Sequence, residues 1–198
     1  MAVVPIYRTD PAGTNYVMTV YLSRVSGAWA AGPQAGTVVR WPEGGKNAAG
    51  IAGVAKAIKE TPGAIGCSNT FTAKAQGLAT VQLRNRAGQF VKPDLASFAA
   101  AAARAEWTPR NTADAIDVDD PAAWPIVSPT YILLPADPTA QRVAASLGAM
   151  KLFDWAYREG GDIARELGYV PSPEAVQASV RKSWDAVRGP DGKAIWEA

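Results

Sequence analysis

The chain has 198 residues, 48% of them hydrophobic and 19% charged, which is enough apolar material for a packed core and too little charge for global disorder. Lys and Arg number 20 against 18 Asp and Glu, so the net charge of +2 gives no field that would gather nucleic acid or an anionic membrane, and any anion site has to be local. A lone cysteine, Cys67, excludes an intrachain disulfide and a thiolate cage; the absence of histidine removes the commonest general base and metal ligand, so no cofactor or metal is expected.

Ala2 to Tyr7 carries Val3, Val4 and Ile6 and predicts a strand. Asp10-Pro11-Ala12-Gly13 is a turn, and Thr14 to Val25, with Val17, Tyr21 and Val25 at helical spacing, predicts a helix that Gly27 and Gly32-Pro33 close. Thr37 to Trp41 predicts a second short strand, Pro42 to Lys46 a turn-rich loop, and Ala48 to Glu60 a helix stopped by Thr61-Pro62-Gly63. Ala64 to Gly66 follows as a short buried strand, Ser68 to Gln76 as a helix, and Ala79–Leu83 with Gln89–Val91 as a hairpin around Arg86-Ala87-Gly88. Asp94 to Glu106 predicts a helix, with Pro93 before it and an alanine run inside it. Thr108 to Ala123 is polar and irregular. Ile126 to Leu134 is the strongest strand pattern in the chain. Ala140 to Glu159, a further turn or two to Leu167, and Ser172 to Val187 predict the last helices.

Strands alternating with helices imply an α/β fold with a largely parallel sheet. The composition shift near residues 107 to 125 is a candidate boundary between two lobes. No segment reaches the roughly 20 apolar residues that span a bilayer, and Met1-Ala2-Val3-Val4-Pro5 lacks the basic and apolar regions of a secretory signal.

Arg8-Thr9-Asp10-Pro11-Ala12-Gly13-Thr14 is the most informative stretch. A helix starting at Gly13 or Thr14 points its free N–H groups and the positive end of its dipole at whatever sits before it. Gly13 lets a ligand approach the backbone, and Thr14 adds a hydroxyl. Arg8 lies where open α/β sheets bind ligands, its planar fork suits a tetrahedral oxyanion, and Asp10 stands two residues away to hold it. The same spacing also fits a helix merely capped by Asp10, with Arg8 solvated.

This stretch resembles the Arg-x-Asp-x-Ser-Gly-Thr site of the periplasmic phosphate-binding proteins of ABC importers. Trp41-Pro42 with Gly44-Gly45-Lys46, Thr61-Pro62-Gly63-Ala64-Ile65-Gly66, Trp124-Pro125-Ile126 with Ser128 to Leu134, Phe153-Asp154-Trp155-Ala156, Leu167-Gly168-Tyr169-Val170-Pro171 and Val180 to Trp184 resemble further segments of that family, in order along nearly the whole chain. The resemblance implies a periplasmic-binding-protein-like (type II) two-lobe fold, here incomplete, with the second lobe's remainder in 1–123 and the return strand and helices of the first lobe in 124–198. It implies that Arg8, Gly13 and Thr14 contact inorganic phosphate and that Asp10 orients Arg8. It also implies a periplasmic binding protein, not an enzyme, that serves the permease subunits of an ABC transporter without nucleic acid or membrane insertion. The family's site Ser is Ala12 here, and family members begin well before this point. A degenerate or truncated member acting as an interaction module without tight phosphate binding is the alternative.

Other groups carry less. Asp114 to Asp120 lack the spacing of a calcium loop and fit a solvated acidic loop, Cys67 reads as a buried small residue, Lys46 as a surface lysine, and the seven tryptophans as packing groups.

Overall fold

The computed structural model describes residues 2–196. Of strand β1 (Val4–Arg8) only Ile6 is fully buried, and the strand runs one residue beyond the predicted end, so that Arg8 is its last residue. Helix α1 (Gly13–Val25) follows the turn, and Ser26 both ends it and begins a short helix not predicted from sequence, α2 (Gly27–Ala31), by accepting the Trp29 N–H on its Oγ. Strand β2 (Lys46–Ala48), helix α3 (Gly50–Glu60) and strand β3 (Ala64–Gly66) complete a parallel sheet of order β2-β1-β3. Its register pairs Ile6 with Lys46 and with Gly66, and Arg8 with Ala48. Helix α3 packs on all three strands and buries Val54 and Ala55 completely.

The strand predicted at Thr37–Trp41 does not form; Lys46–Ala48, read from sequence as loop and helix start, takes the place beside β1. The polar groups of 37–41 are used elsewhere. The Thr37 carbonyl accepts the Ala12 N–H, and the Trp41 indole N–H donates to the Arg8 carbonyl.

Beyond β3, Asn69 caps α4 (Thr70–Ala75), and β4 (Leu83–Arg84) pairs with β5 (Phe90–Val91) in a hairpin shorter than predicted. Asn85 fixes that turn: its Nδ2 donates to the carbonyls of Asp120, Pro121 and Ala123, and its Oδ1 accepts from Gln89 N–H. Helix α5 (Leu95–Arg104) opens with a reciprocal cap in which Ser97 N–H donates to Asp94 and Asp94 N–H donates to Ser97 Oγ. Residues up to Arg104 and Ala115–Ser128 form one compact unit.

The second unit contains Ala105–Asp114 and the residues from Pro129 onward. It begins with a two-residue hairpin, β6 (Glu106–Trp107) and β7 (Ala113–Asp114), and continues with α6 (Ala140–Glu159), α7 (Gly161–Glu166) and α8 (Glu174–Trp184). Met150, Trp184, Val187 and Trp196 form its core, with the Trp184 and Trp196 rings edge to face at 4.8 Å. The Asp154 carboxylate, largely buried, is held by Arg181 Nε and Arg158 Nη2, each at 2.7 Å. Trp155, by contrast, is half exposed.

The strongest predicted strand, Ile126–Leu134, does not form. No ladder among the described residues includes this segment, and a run without a partner cannot satisfy its own backbone. Among the described residues, no helix is long and apolar enough to cross a membrane.

Candidate functional site

The parallel sheet brings the C-terminal ends of its strands to one edge, and Arg8 ends the central strand there. Thr9 stays tied to the neighbouring strand through its N–H to the Ala48 carbonyl, and the chain then turns through Asp10, Pro11 and Ala12 into α1.

Arg8 and Asp10 are joined as their spacing suggested. Arg8 Nε lies 3.1 and 3.0 Å from the two carboxylate oxygens, and Nη2 lies 2.6 Å from Oδ2. Asp10 Oδ1 also accepts the Gly50 N–H at 2.6 Å, at the start of α3, where Gly50 takes a φ of +68° that glycine tolerates without strain. The Arg8 hydrogen bonds first, then the Gly50 N–H, hold the Asp10 carboxyl well below the usual carboxylate range. The bond to Asp10 raises the already high Arg8 pKa, so the pair is ionised throughout the physiological range. Nη1 of Arg8 has no hydrogen-bond partner among the described residues.

Ala12 is the N-cap of α1, extended at φ −153°, and offers no side-chain acceptor; the first turn contains no acidic residue. The first intrahelical bond is Tyr16 N–H to Ala12 O, so the N–H groups of Gly13, Thr14 and Asn15 find no acceptor among the described residues. Gly13 is exposed, and nothing stands within 4 Å of where its Cβ would be. Thus Arg8, Asp10, Ala12, Gly13 and Thr14 lie along the strand end, the turn and the helix start, the guanidinium fixed by Asp10 and the α1 N–H groups without a capping side chain. Three N–H groups and a partial positive charge at a helix start can hold an oxyanion without a metal.

Sequence reasoning missed the residues that hold this turn. Asn15, 3% exposed, sends its Nδ2 to the carbonyls of Arg8, Asp10 and Thr37 at 3.2, 3.1 and 3.1 Å. One turn on, the fully buried Thr19 accepts the Gly36 N–H and donates its hydroxyl to the Asn15 carbonyl at 2.7 Å. The Trp41 ring stacks on Tyr7 at 4.9 Å with planes 5° apart. Gly45 passes so close that a Cβ there would lie 2.1 Å from the Tyr7 ring. An Asn in the first turn of a helix with no favourable propensity was the available signal. A recess lined by Tyr7, Thr9, Trp41, Glu43, Gly45 and Asn47 opens nearby but does not include Arg8.

Cys67 follows β3, partly buried, and burial pushes its thiol up to about 11 against the opposing pull of Arg8. Lys46 is exposed and donates to the Thr61 hydroxyl. Among the described residues no group of three or more acidic or cysteine side chains is placed to hold a metal ion.

No family model matches the chain. It is 36% identical over 201 residues to the phosphate-binding protein PstS of Pasteurella multocida, covering 99% of this chain and 57% of that protein. To PstS of Haemophilus influenzae it is 34% identical over 186 residues, covering 92% of this chain and 54% of that protein. The chain therefore spans about half the length of the curated relatives it matches. Among solved structures, a high-affinity periplasmic phosphate-binding protein, PfluDING, crystallised with phosphate, superposes with a TM-score of 0.71 at 20% identity, over 93% of this chain and 58% of that one. That likeness fixes the fold as periplasmic-binding-protein-like, α/β with a parallel sheet flanked by helices, present in part.

Proposed function

The chain is PstS-like over the roughly half of those proteins that it spans, and from that premise we propose that it is a solute-binding module for inorganic phosphate. The observation that supports the reading is the turn itself: an Arg8 guanidinium fixed by Asp10 beside an α1 start with three free N–H groups and no capping side chain. In this reading Arg8, Gly13 and Thr14 donate to the anion. Asp10 orients Arg8 and Ala12 lines the turn. Phosphate is bound and released unchanged, with no bond broken, in keeping with relatives named as binding proteins and with a sequence that has no histidine.

The wider role follows the same premise. The module works outside the cytoplasmic membrane and hands phosphate to the permease subunits of an ABC importer. Residues 1–123 belong to the phosphate-holding lobe, and 124–198 to the return strand and helices of the other. Alanine at position 12 leaves the site one hydroxyl short. A donor to a charged oxygen contributes about 1.5–3 kcal/mol, so affinity is expected about ten- to a hundredfold below that of a site with serine there.

Calorimetric titration of the folded chain with phosphate, and separately with sulfate, tests the proposal. Heat with phosphate, reduced about tenfold or more in affinity by Arg8→Ala, is the expected result. A folded chain that gives no heat with phosphate at millimolar concentration would overturn it.

A further inference from the structure

Donors at the start of α1 are unevenly spread. The N–H groups of Gly13, Thr14 and Asn15 find no acceptor among the described residues, and the Thr14 hydroxyl makes no hydrogen bond among them. The two residues just before them offer nothing comparable. Pro11 has no N–H. The Ala12 N–H is already held by the Thr37 carbonyl at 3.1 Å, and Asn15 Nδ2 fixes that carbonyl in turn at 3.1 Å. Residues 11 and 12 therefore present an incoming anion with no donor, from main chain or side chain.

The Ala12 methyl has a defined place. An N-cap side chain lies over the first-turn N–H groups, which is why serine, threonine or aspartate there bonds the second or third of them. Ala12 is the N-cap of α1, in the extended conformation usual for that position (φ −153°, ψ 145°), and makes no such bond. An anion seated on the N–H groups of Gly13 to Asn15 thus meets a methyl where a capping oxygen would stand. Space is open beside it: Gly13 is exposed, and nothing lies within 4 Å of where its Cβ would be. An oxygen set against a methyl gives up a hydrogen bond that it would make in water, whereas a carbon set there gives up none.

We propose that this turn takes alkylphosphonates, tetrahedral anions with a carbon in place of one phosphate oxygen, about as well as it takes inorganic phosphate. The three oxygens accept from the α1 N–H groups, the Thr14 hydroxyl and Arg8, and the alkyl group lies on Ala12. The inference rests on the phosphate reading for where the anion sits, and it adds a class of ligand to that site.

Calorimetric titration of the full chain with phosphate and with methylphosphonate tests it, at a pH where both carry two negative charges. The parent should bind the two within about tenfold of each other. In Ala12→Ser the new hydroxyl donates to the fourth oxygen of phosphate and finds no such oxygen on methylphosphonate. The affinity ratio should therefore move toward phosphate by about tenfold or more. Any gain in helix stability is common to both ligands and cancels in that ratio. Arg8→Ala should weaken both ligands by about tenfold or more, as expected of one shared site. Phosphate binding with methylphosphonate weaker by about a hundredfold or more would overturn the proposal and leave the phosphate reading standing. So would a ratio unchanged in Ala12→Ser, or methylphosphonate binding that survives Arg8→Ala. Methylphosphonate bound without phosphate would uphold the proposal and overturn the phosphate reading, and a folded chain that binds neither would overturn both.

Discussion

Replacing Asn15 separates two roles for the turn, pinned scaffold or loose loop. Its carboxamide faces three carbonyls at 3.1–3.2 Å and has two hydrogens to share among them. In Asn15→Ala two of the carbonyls keep a second donor: Arg8 O retains the Trp41 indole and Thr37 O retains the Ala12 N–H. Only Asp10 O is left without one. Two hydrogen bonds at about 1 kcal/mol each, plus about 1 kcal/mol or more for the unpaired Asp10 carbonyl, less roughly 0.5 kcal/mol of helix propensity gained by alanine, come to about 3 kcal/mol of lost stability. Asn15→Asp keeps the size but presents carboxylate oxygens to the same carbonyls. At neutral pH that repulsion outweighs the roughly 0.3–1 kcal/mol that an acid gains in the first turn of a helix. The Asp variant should therefore be less stable than the Ala variant by about 1 kcal/mol or more at neutral pH, and the gap should shrink as acid protonates the new carboxyl. Urea unfolding followed by tryptophan fluorescence at neutral and mildly acidic pH reads both. An Asp variant as stable as Ala at neutral pH, or an Ala variant within about 0.5 kcal/mol of the parent, would refute the reasoning.

Ala12→Ser gives α1 the side-chain cap it lacks; the urea midpoint should rise by the equivalent of about 1 kcal/mol, and calorimetry should show phosphate bound more tightly. Gly45→Ala places a methyl 2.1 Å from the Tyr7 ring, so the Tyr7–Trp41 stack must shift; a loss of about 1–3 kcal/mol and a changed near-ultraviolet dichroism are expected. The Cys67 thiol is pushed up to about 11 by burial, whereas in the unfolded chain it ionises near its ordinary value. Between those values the folded state keeps a proton that the unfolded state gives up, so stability falls as pH rises, by about 2 kcal/mol across the window. Urea midpoints measured below and within that window should show this slope in the parent and a smaller one in Cys67→Ala.

The first unit's central strand and α1 were legible because their signals are local: alternating apolar residues, a Pro-Gly turn, and a 3.6-residue repeat. The Arg8–Asp10 pair was legible for the same reason, two residues of opposite charge at the end of one strand. Strand β2 was not. Lys46-Asn47-Ala48 has no strand propensity and is a strand only because β1 offers an edge at that point. The converse failure is residues 126–134, where propensity is high but no partner exists among the described residues. Asn15, Thr19 and Trp41 escaped notice because their value lies in which carbonyls they reach, and those carbonyls come from residues up to 33 positions away in the chain.

The Asp10 carboxylate has a consequence that is a matter of counting. Two helices begin at the same edge of the sheet, α1 at Gly13 and α3 at Gly50, and neither has a capping side chain of its own. Asp10 sits at the second of these, bonded to Gly50 N–H, as a resident anion. One helix start is thereby taken by the protein itself; in the reading proposed above the other receives the diffusible ion, so the edge is expected to hold a single guest. Asp10→Gly would remove the resident, open the start of α3, and free Arg8 to serve either position; the number of anions held, and not only their affinity, would change.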